Sequence, residues 1–348
     1  MTNIITTIGP ASLNNSTLAY FATHGVKIAR LNFSHGTSQW HIEAGKMCKE
    51  HGLELMFDLA GPKVLLGQLA NDTTVANNEE IAIEQQKECQ TYPYEAQVGG
   101  AQMRVFPCQF AMNEFVSVGT DVLVNDGYME WKVRSIQGDR VVAHVEFGGV
   151  VKSNKGVNLP GTKLDIHFLV DRDLELIAAC LPALQPAWIA PSFVKTVEDL
   201  HTLKAFIEEV KQKNNMPANY QPKICTKIEM HEAVEPESLE KITQESDMLM
   251  VARGDLALET KPAHLMVPFL QDAIVNSARK QGKLVIIATQ MMESMIESPV
   301  PTRAEISDLY RAIHINKADF VMLSAESAVG KFPEKCVNIM YSLAKMGE

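Results

Sequence analysis

The stretch MLMVARGD, residues 248–255, decides the fold. Met248 to Ala252 are five apolar residues in a row, with no polar residue at alternate positions. That pattern fits a strand buried on both faces, as in a parallel sheet covered by helices. The run then stops at Arg253, Gly254 and Asp255, two opposite charges around a glycine where an ordinary turn would serve. The question is what those charges do at the end of a buried strand.

Seven other apolar runs of strand length accompany it: IITTI (4–8), VKIARL (26–31), LELMF (53–57), AWIA (187–190), KICTKI (223–228), LVIIA (284–288) and FVML (320–323). Amphipathic stretches such as DLHTLKAFIEEVKQK (199–213) and LMVPFLQDAIVNSARKQG (265–282) lie between them, the latter closing with basic residues and a glycine, a helix stop. Eight alternating units predict an α/β fold of the TIM (β/α)8 barrel type. From 68 to 157 the rhythm changes to short β-like runs, AQMRVFP, SVGTDVLV, MEWKVRSI and RVVAHVEF, with turn signals VGG, NDG, QGD and FGG. We read residues 68–157 as a small β domain inserted after the third barrel strand, and 1–67 with 158–348 as the barrel. Without the insertion the body is close to the ~250 residues usual for this barrel.

Composition narrows the function. Hydrophobic residues make up 46% and charged residues 21% of 348, an ordinary globular balance. The net charge of −10 disfavours a nucleic-acid binder, although a local cation cluster would still suit anionic substrates. No apolar stretch approaches the ~20 residues of a membrane span. The start MTNIITTIGP lacks a basic segment followed by a long apolar one, so no signal peptide is expected. Six cysteines without a CxxC pair point away from zinc or a disulfide frame and towards a cytoplasmic location.

Polar residues cluster where the apolar runs end. Strand two runs into Arg30-Leu31-Asn32-Phe33-Ser34-His35-Gly36, strand three into Asp58-Leu59-Ala60-Gly61-Pro62-Lys63, and strand five into Lys227-Ile228-Glu229. Strands seven and eight end in Thr289-Gln290 and Ser324-Ala325-Glu326. In a barrel these ends share the face that carries active sites; exposed loops after strands explain one or two such ends, not six. Lys227 and Glu229, two apart, point the same way. On their own they would also fit a structural ion pair. With Asp255 from the next strand they bring two carboxylates beside an ammonium. Two oxygen ligands, with places left for water and phosphate, suit magnesium. Gly254 permits close backbone approach, and the planar fork of Arg30 suits a phosphate. The residues thus read as a magnesium site for a small phosphorylated or carboxylated substrate, with the reaction class open.

Eight segments are more specific: TTIGPAS (6–12), ARLNFSHG (29–36), KSNKGVNLPG (152–161), TKIEMHEAV (226–234), MVARGDLALE (250–259), IIATQMMESMI (286–296), PTRAE (301–305) and LSAESAVGKFP (323–333). In order and spacing the chain resembles the pyruvate kinase family, whose barrel carries a small β-barrel lid at the same point. The resemblance implies a magnesium- or manganese-dependent transfer of the phosphoryl group of phosphoenolpyruvate to ADP, giving pyruvate and ATP. It implies metal ligation by Glu229 and Asp255 and charge neutralisation by Lys227. Arg30 would bind phosphate, Thr289 would lie beside the carbon to be protonated, and Ser324 and Glu326 would stand near a proton-relay water. A monovalent-cation pocket falls on Asn32, Ser34 and Asp58. Contacts to substrate or nucleotide fall on Arg30, Asn32, His35, Ser192 and Gly254, and in the lid on Asp126 and Lys155.

The chain departs from that family in FDLAGPKVLLG (57–67), where Lys63 replaces a glutamate, Leu65 an arginine and Ala60 a lysine. An ammonium at Lys63 would fill the monovalent-cation pocket, which predicts potassium independence. Loss of the arginine predicts a slower reaction, compensation by Lys63 or a lid residue, or a different enol-phosphate or acid. After strand eight only PEKCVNIMYSLAKMGE (333–348) remains, so no sugar-phosphate effector domain and a monomer or homodimer are expected. Two other classes fit less of the sequence. A magnesium-dependent lyase acting through pyruvate enolate has no use for Asp126 and Lys155. A non-catalytic binder has no need to keep Lys227, Glu229, Asp255 and Thr289 together. The methionines of QMMESMIES (290–298) read as packing.

Overall fold

A computed structural model describes residues 1–164 and 166–346. Asp165 and the last two residues of the expected barrel piece, Gly347 and Glu348, lie outside the described residues. The chain divides into two compact units. One comprises Met1–Pro62, His167–Leu256 and Val267–Glu348; the other comprises Lys63–Ile166 and Ala257–Met266. The second unit thus takes in 63–67 and 158–166 on either side of 68–157, together with residues 257–266.

The first unit is a closed barrel of eight parallel strands. In chain order they are Asn3–Thr7, Val26–Asn32, Glu54–Asp58, Trp188–Ala190, Lys223–Ile228, Met248–Ala252, Leu284–Ala288 and Phe320–Leu323. All eight expected runs are strands. Strand six is buried along its whole length, because alternate residues serve different cores. Met248, Met250 and Ala252 join the barrel interior with Ile5, Ile28, Met56 and Cys225. Leu249 and Val251 face the layer that also holds Leu200, Leu203 and Ile274 from the helices. The same alternation sets the mouth of the barrel. Counting on by two from interior Ile5, Ile28, Met56, Ala190 and Cys225 gives Thr7, Arg30, Asp58, Ser192 and Lys227.

Helices Val197–Lys213 and Val267–Lys280 cover two of the expected amphipathic stretches. The segment PTRAE owes its form to a capping box: Thr302 accepts from the Glu305 N–H, and Glu305 accepts from Thr302, starting the helix Arg303–Tyr310. Met291, Met292 and Met295 are fully buried, as packing residues should be.

The second unit holds a seven-stranded sheet ordered Val157–Asn158, Asp121–Val124, Met129–Gln137, Arg140–Phe147, Glu80–Gln85, Ala101–Cys108 and Tyr94–Val98. Its edge strands are Val157–Asn158 and Tyr94–Val98. Its pairs are antiparallel except Glu80–Gln85 with Ala101–Cys108. A ribbon of Thr73–Val75 with Gly149–Val151 completes the unit. Trp131 and Phe106 are fully buried in its core. Among the described residues no helix is long and apolar enough to cross a membrane. All six cysteines are free thiols.

Candidate active site

The barrel mouth gathers a charge cluster around Asp58, which is 1% exposed. Asp58 Oδ2 accepts from Arg30 Nε at 2.5 Å, and Oδ1 lies 3.3 Å from Lys227 Nζ. Arg30 also donates through Nη1 to the Thr7 hydroxyl at 2.7 Å. Lys227 donates to the Ser192 hydroxyl at 2.5 Å and lies 3.4 Å from Glu229 Oε2. Ser192 in turn donates to the Leu59 carbonyl. Residues from the first five strands and their loops therefore hold one another in place.

The electrostatics follow from burial and opposite charge. Burial alone would raise the pKa of Asp58, but Arg30 and Lys227 outweigh it and hold the carboxyl below its ordinary value. Burial would likewise discharge Lys227, yet Asp58 and Glu229 keep its ammonium above the usual lysine range. Glu229 behaves in the opposite way. Burial pushes its carboxyl up to about 7; Lys227 opposes that rise and the Asp255 carboxylate adds to it. One Glu229 oxygen accepts from the Phe193 N–H at 2.7 Å, a residue in the left-handed region at φ +57°.

A buried Glu229 whose charge the Asp255 carboxylate disfavours, beside a largely covered ammonium, is a fitting place for a divalent cation. Such a charge would favour the ionised form of Glu229, and hard oxygen donors suit magnesium. Glu229 and Asp255 would hold it. Among the described residues no group of three or more His, Cys, Asp or Glu side chains is arranged for a metal.

Strands six and seven meet at Thr289. Arg253, 9% exposed, donates from Nη2 to the Thr289 carbonyl at 2.7 Å and from Nε to the Ala288 carbonyl at 3.1 Å. Its Nη1 donates to Asp308 at 2.6 Å. A Cβ at Gly254 would lie 3.1 Å from Thr289 Cγ2. At the end of strand eight, Glu326 is 2% exposed and accepts from the N–H groups of Ser324 at 2.7 Å and Met292 at 3.2 Å.

The other expected site residues divide between the two units. In the first, Asn32 Oδ1 accepts from the Ser34 N–H, and Ser34 and His35 are exposed. In the second, Lys63 Nζ lies 3.9 Å from Asp126 Oδ1, and the methylene next to that ammonium borders Gly156, the neighbour of Lys155. Leu65, which stands where the resemblance expects an arginine, forms a backbone bridge with Gly156.

Three residues escape the sequence reading. Thr7 carried a signal, since it shares the interior parity of Ile5. Arg253 stood in view after strand six without a role. Asp173 gave none: it lies on the helix Asp171–Leu184 and accepts from the Ala60 and Gly61 N–H groups at 2.8 and 2.9 Å, across more than a hundred residues.

Comparison with known proteins agrees with this geometry. Residues 1–337 match the family described as "Pyruvate kinase, barrel domain". The chain is 33% identical over 355 residues to "Pyruvate kinase" of Clostridium perfringens, covering all of this chain and 70% of that one. It is 34% identical to "Pyruvate kinase 2" of Synechocystis, covering 99% of this chain and 56% of that one, and 35% identical to "Pyruvate kinase" of Agrobacterium vitis, covering 99% and 68%. With the matched barrel, the lysine–carboxylate cluster at its mouth and relatives of this similarity, the chain belongs to the pyruvate kinase family of phosphotransferases.

Proposed function

We propose that the chain transfers the phosphoryl group of phosphoenolpyruvate to ADP with a divalent cation. The observation that carries this reading is the pair of largely covered cations, Arg30 and Lys227, held on Asp58 beside Glu229. The bond between phosphorus and the enol oxygen breaks, and a β-phosphate oxygen of ADP forms the new one. The enolate left behind takes a proton at its methylene carbon and becomes pyruvate.

Arg30 and Lys227 offer fixed positive charge to the phosphoryl group, and Asp58 keeps them from drifting or discharging. Such preorganised charge is the main means by which proteins catalyse phosphoryl transfer. Magnesium bound to Glu229 and Asp255 would supply further neutralisation of substrate oxygens. Thr289 stands by the carbon to be protonated, with Ser324 and Glu326 near the proton's source. Glu326 contributes by fixing the Ser324 and Met292 backbone. Asn32, His35, Ser192 and Gly254 contact substrate, and Lys155 and Asp126 serve the nucleotide.

In the same reading the reaction needs no potassium, because Lys63 brings a built-in monovalent charge, and no sugar-phosphate response is expected of these two units. The test mixes the protein with phosphoenolpyruvate, ADP and Mg²⁺, with and without potassium, and follows pyruvate. Turnover that is lost in Lys227→Met, at unchanged folding, supports the reading. No pyruvate from the folded wild type would overturn it, and a several-fold gain with potassium would overturn the role of Lys63.

A further inference from the structure

Thr289 occupies a conformation that its own chemistry disfavours. Its φ is +75°, and Gln290 follows at +54°. A β-branched residue with positive φ is a steric outlier, of the kind that persists only where its surroundings over-determine it. The surroundings here are supplied by strand six. Arg253 places Nη2 at 2.7 Å and Nε at 3.2 Å from the Thr289 carbonyl, with Nε also 3.1 Å from the Ala288 carbonyl. The guanidinium is itself anchored, through Nη1, on Asp308 at 2.6 Å in the helix Arg303–Tyr310. Gly254 leaves open the space beside Thr289 Cγ2, which any side chain would enter.

We propose that Arg253 is a positioning residue that holds Thr289 in its left-handed conformation, and that it acts on the proton-transfer half of the reaction through Thr289. The inference rests on the reading of Thr289 given above. Two guanidinium nitrogens converge on one carbonyl while a third is tied to Asp308, and this fixes the peptide plane that follows Thr289 and thereby the direction of its side chain. A lysine has charge but no fork; it cannot hold the carbonyl and Asp308 at once. Arg253 touches no reacting atom in this account, and Gly254 has its place because a larger residue would push Thr289 out.

The test uses the full chain as wild type, Arg253→Lys, Thr289→Ala and the double variant. Two reactions are read separately: ATP formed in a single turnover, and deuterium entering the pyruvate methyl group from D₂O with Mg²⁺ and ATP present. Displacing a positioned group by a fraction of an ångström to an ångström reduces rate by about 10- to 100-fold. Arg253→Lys should therefore slow methyl exchange about tenfold or more, with single-turnover ATP formation and the KM for phosphoenolpyruvate within about twofold. In the Thr289→Ala background the same change should add almost nothing. Equal loss in both reactions, or full additivity with Thr289→Ala, overturns the proposal.

Methyl-labelled threonine gives a readout that needs no turnover. The Thr289 Cγ2 resonance should shift in Arg253→Lys at a melting temperature close to wild type, and an unshifted resonance overturns the clamp. If the wild type itself neither exchanges pyruvate protons nor forms ATP, the proposed reaction fails. The resonance then still decides whether Arg253 holds Thr289.

Discussion

Asp58 links the two cations on which the proposed chemistry depends. It is buried, bonded to Arg30 and close to Lys227, and without it both positive charges would face each other with less compensation. Removing one partner from a buried ion pair costs about 3–5 kcal/mol, mostly through the charge left unpaired. Asp58→Asn should accordingly lower unfolding free energy by about 3 kcal/mol in urea titration, and lower activity more than it raises the KM for phosphoenolpyruvate. Much of this cluster was readable in the sequence, because the period of two in a strand puts Arg30, Lys227 and Glu229 on the same face as apolar neighbours known to be interior. The pairing of Asp58 with both cations was not, since the sequence reading gave it to a pocket with Asn32, Ser34 and Lys63. Which carboxylate meets which cation depends on the relative heights of neighbouring strands, and here Asn32 pairs with Asp58 and Lys227 with Met250. Apolar periodicity carries no information about that stagger.

At the level of elements, the barrel closes where its first and last strands meet. Thr7 Oγ1 donates to the Leu323 carbonyl and Ser327 Oγ to the Thr7 carbonyl, each at 2.9 Å. Just beyond, Gly9 passes so near the turn at Ala328 that a Cβ would sit 2.5 Å from its carbonyl oxygen. Backbone cannot yield as a side-chain tip can. Gly9→Ala should therefore destabilise the chain by about 1–3 kcal/mol, seen as a lower denaturation midpoint. In the sheet of the second unit the controlling group is Glu84, whose side chain is fully covered. It accepts from Tyr92 at 2.8 Å, Tyr94 at 2.9 Å, Arg140 at 2.9 Å and Lys87 at 3.1 Å. Burial works against its ionisation, but these four donors bring its pKa down to about 2. A carboxyl lowered in the folded state adds stability that is complete above its unfolded value near 4.5 and vanishes as pH falls through about 2. The size is about 3 kcal/mol. Acid titration of unfolding should lose that part of its slope, between about pH 4.5 and 2, in Glu84→Gln.

For the molecule as a whole, all eight barrel strands were legible, because each carries a short apolar run with any charged residues mostly at its ends. The sheet of the second unit was legible only in part. AQMRVFP, SVGTDVLV, MEWKVRSI and RVVAHVEF fall on strands, whereas Thr73–Val75, Glu80–Gln85, Tyr94–Val98, Gly149–Val151 and Val157–Asn158 went unseen. Four of them are two or three residues long or polar on alternate positions, with both edge strands among them, and Glu80–Gln85 has only Ile81 to Ile83 as an apolar run between charged or polar ends, so pairing stabilises them more than their own composition does. The same holds for residues 257–266, which look like the continuation of a barrel loop and belong to the other unit by long-range contacts alone.

Those ten residues bear on modular exchange. Glu259 accepts from Asn158 at 2.7 Å, and Lys261 lies 3.4 Å from Asp121, so the return segment supplies polar partners to both of the strands at that end of the sheet. A graft that takes only 63–166 into another barrel carries half of each interaction and leaves the other half behind. Recombination between relatives should thus succeed when both segments travel together and give poorly soluble or proteolysed products when one does. Expressing the two kinds of chimera side by side, with limited proteolysis as the readout, would show whether inheritance of this unit is tied to a second, distant piece of sequence.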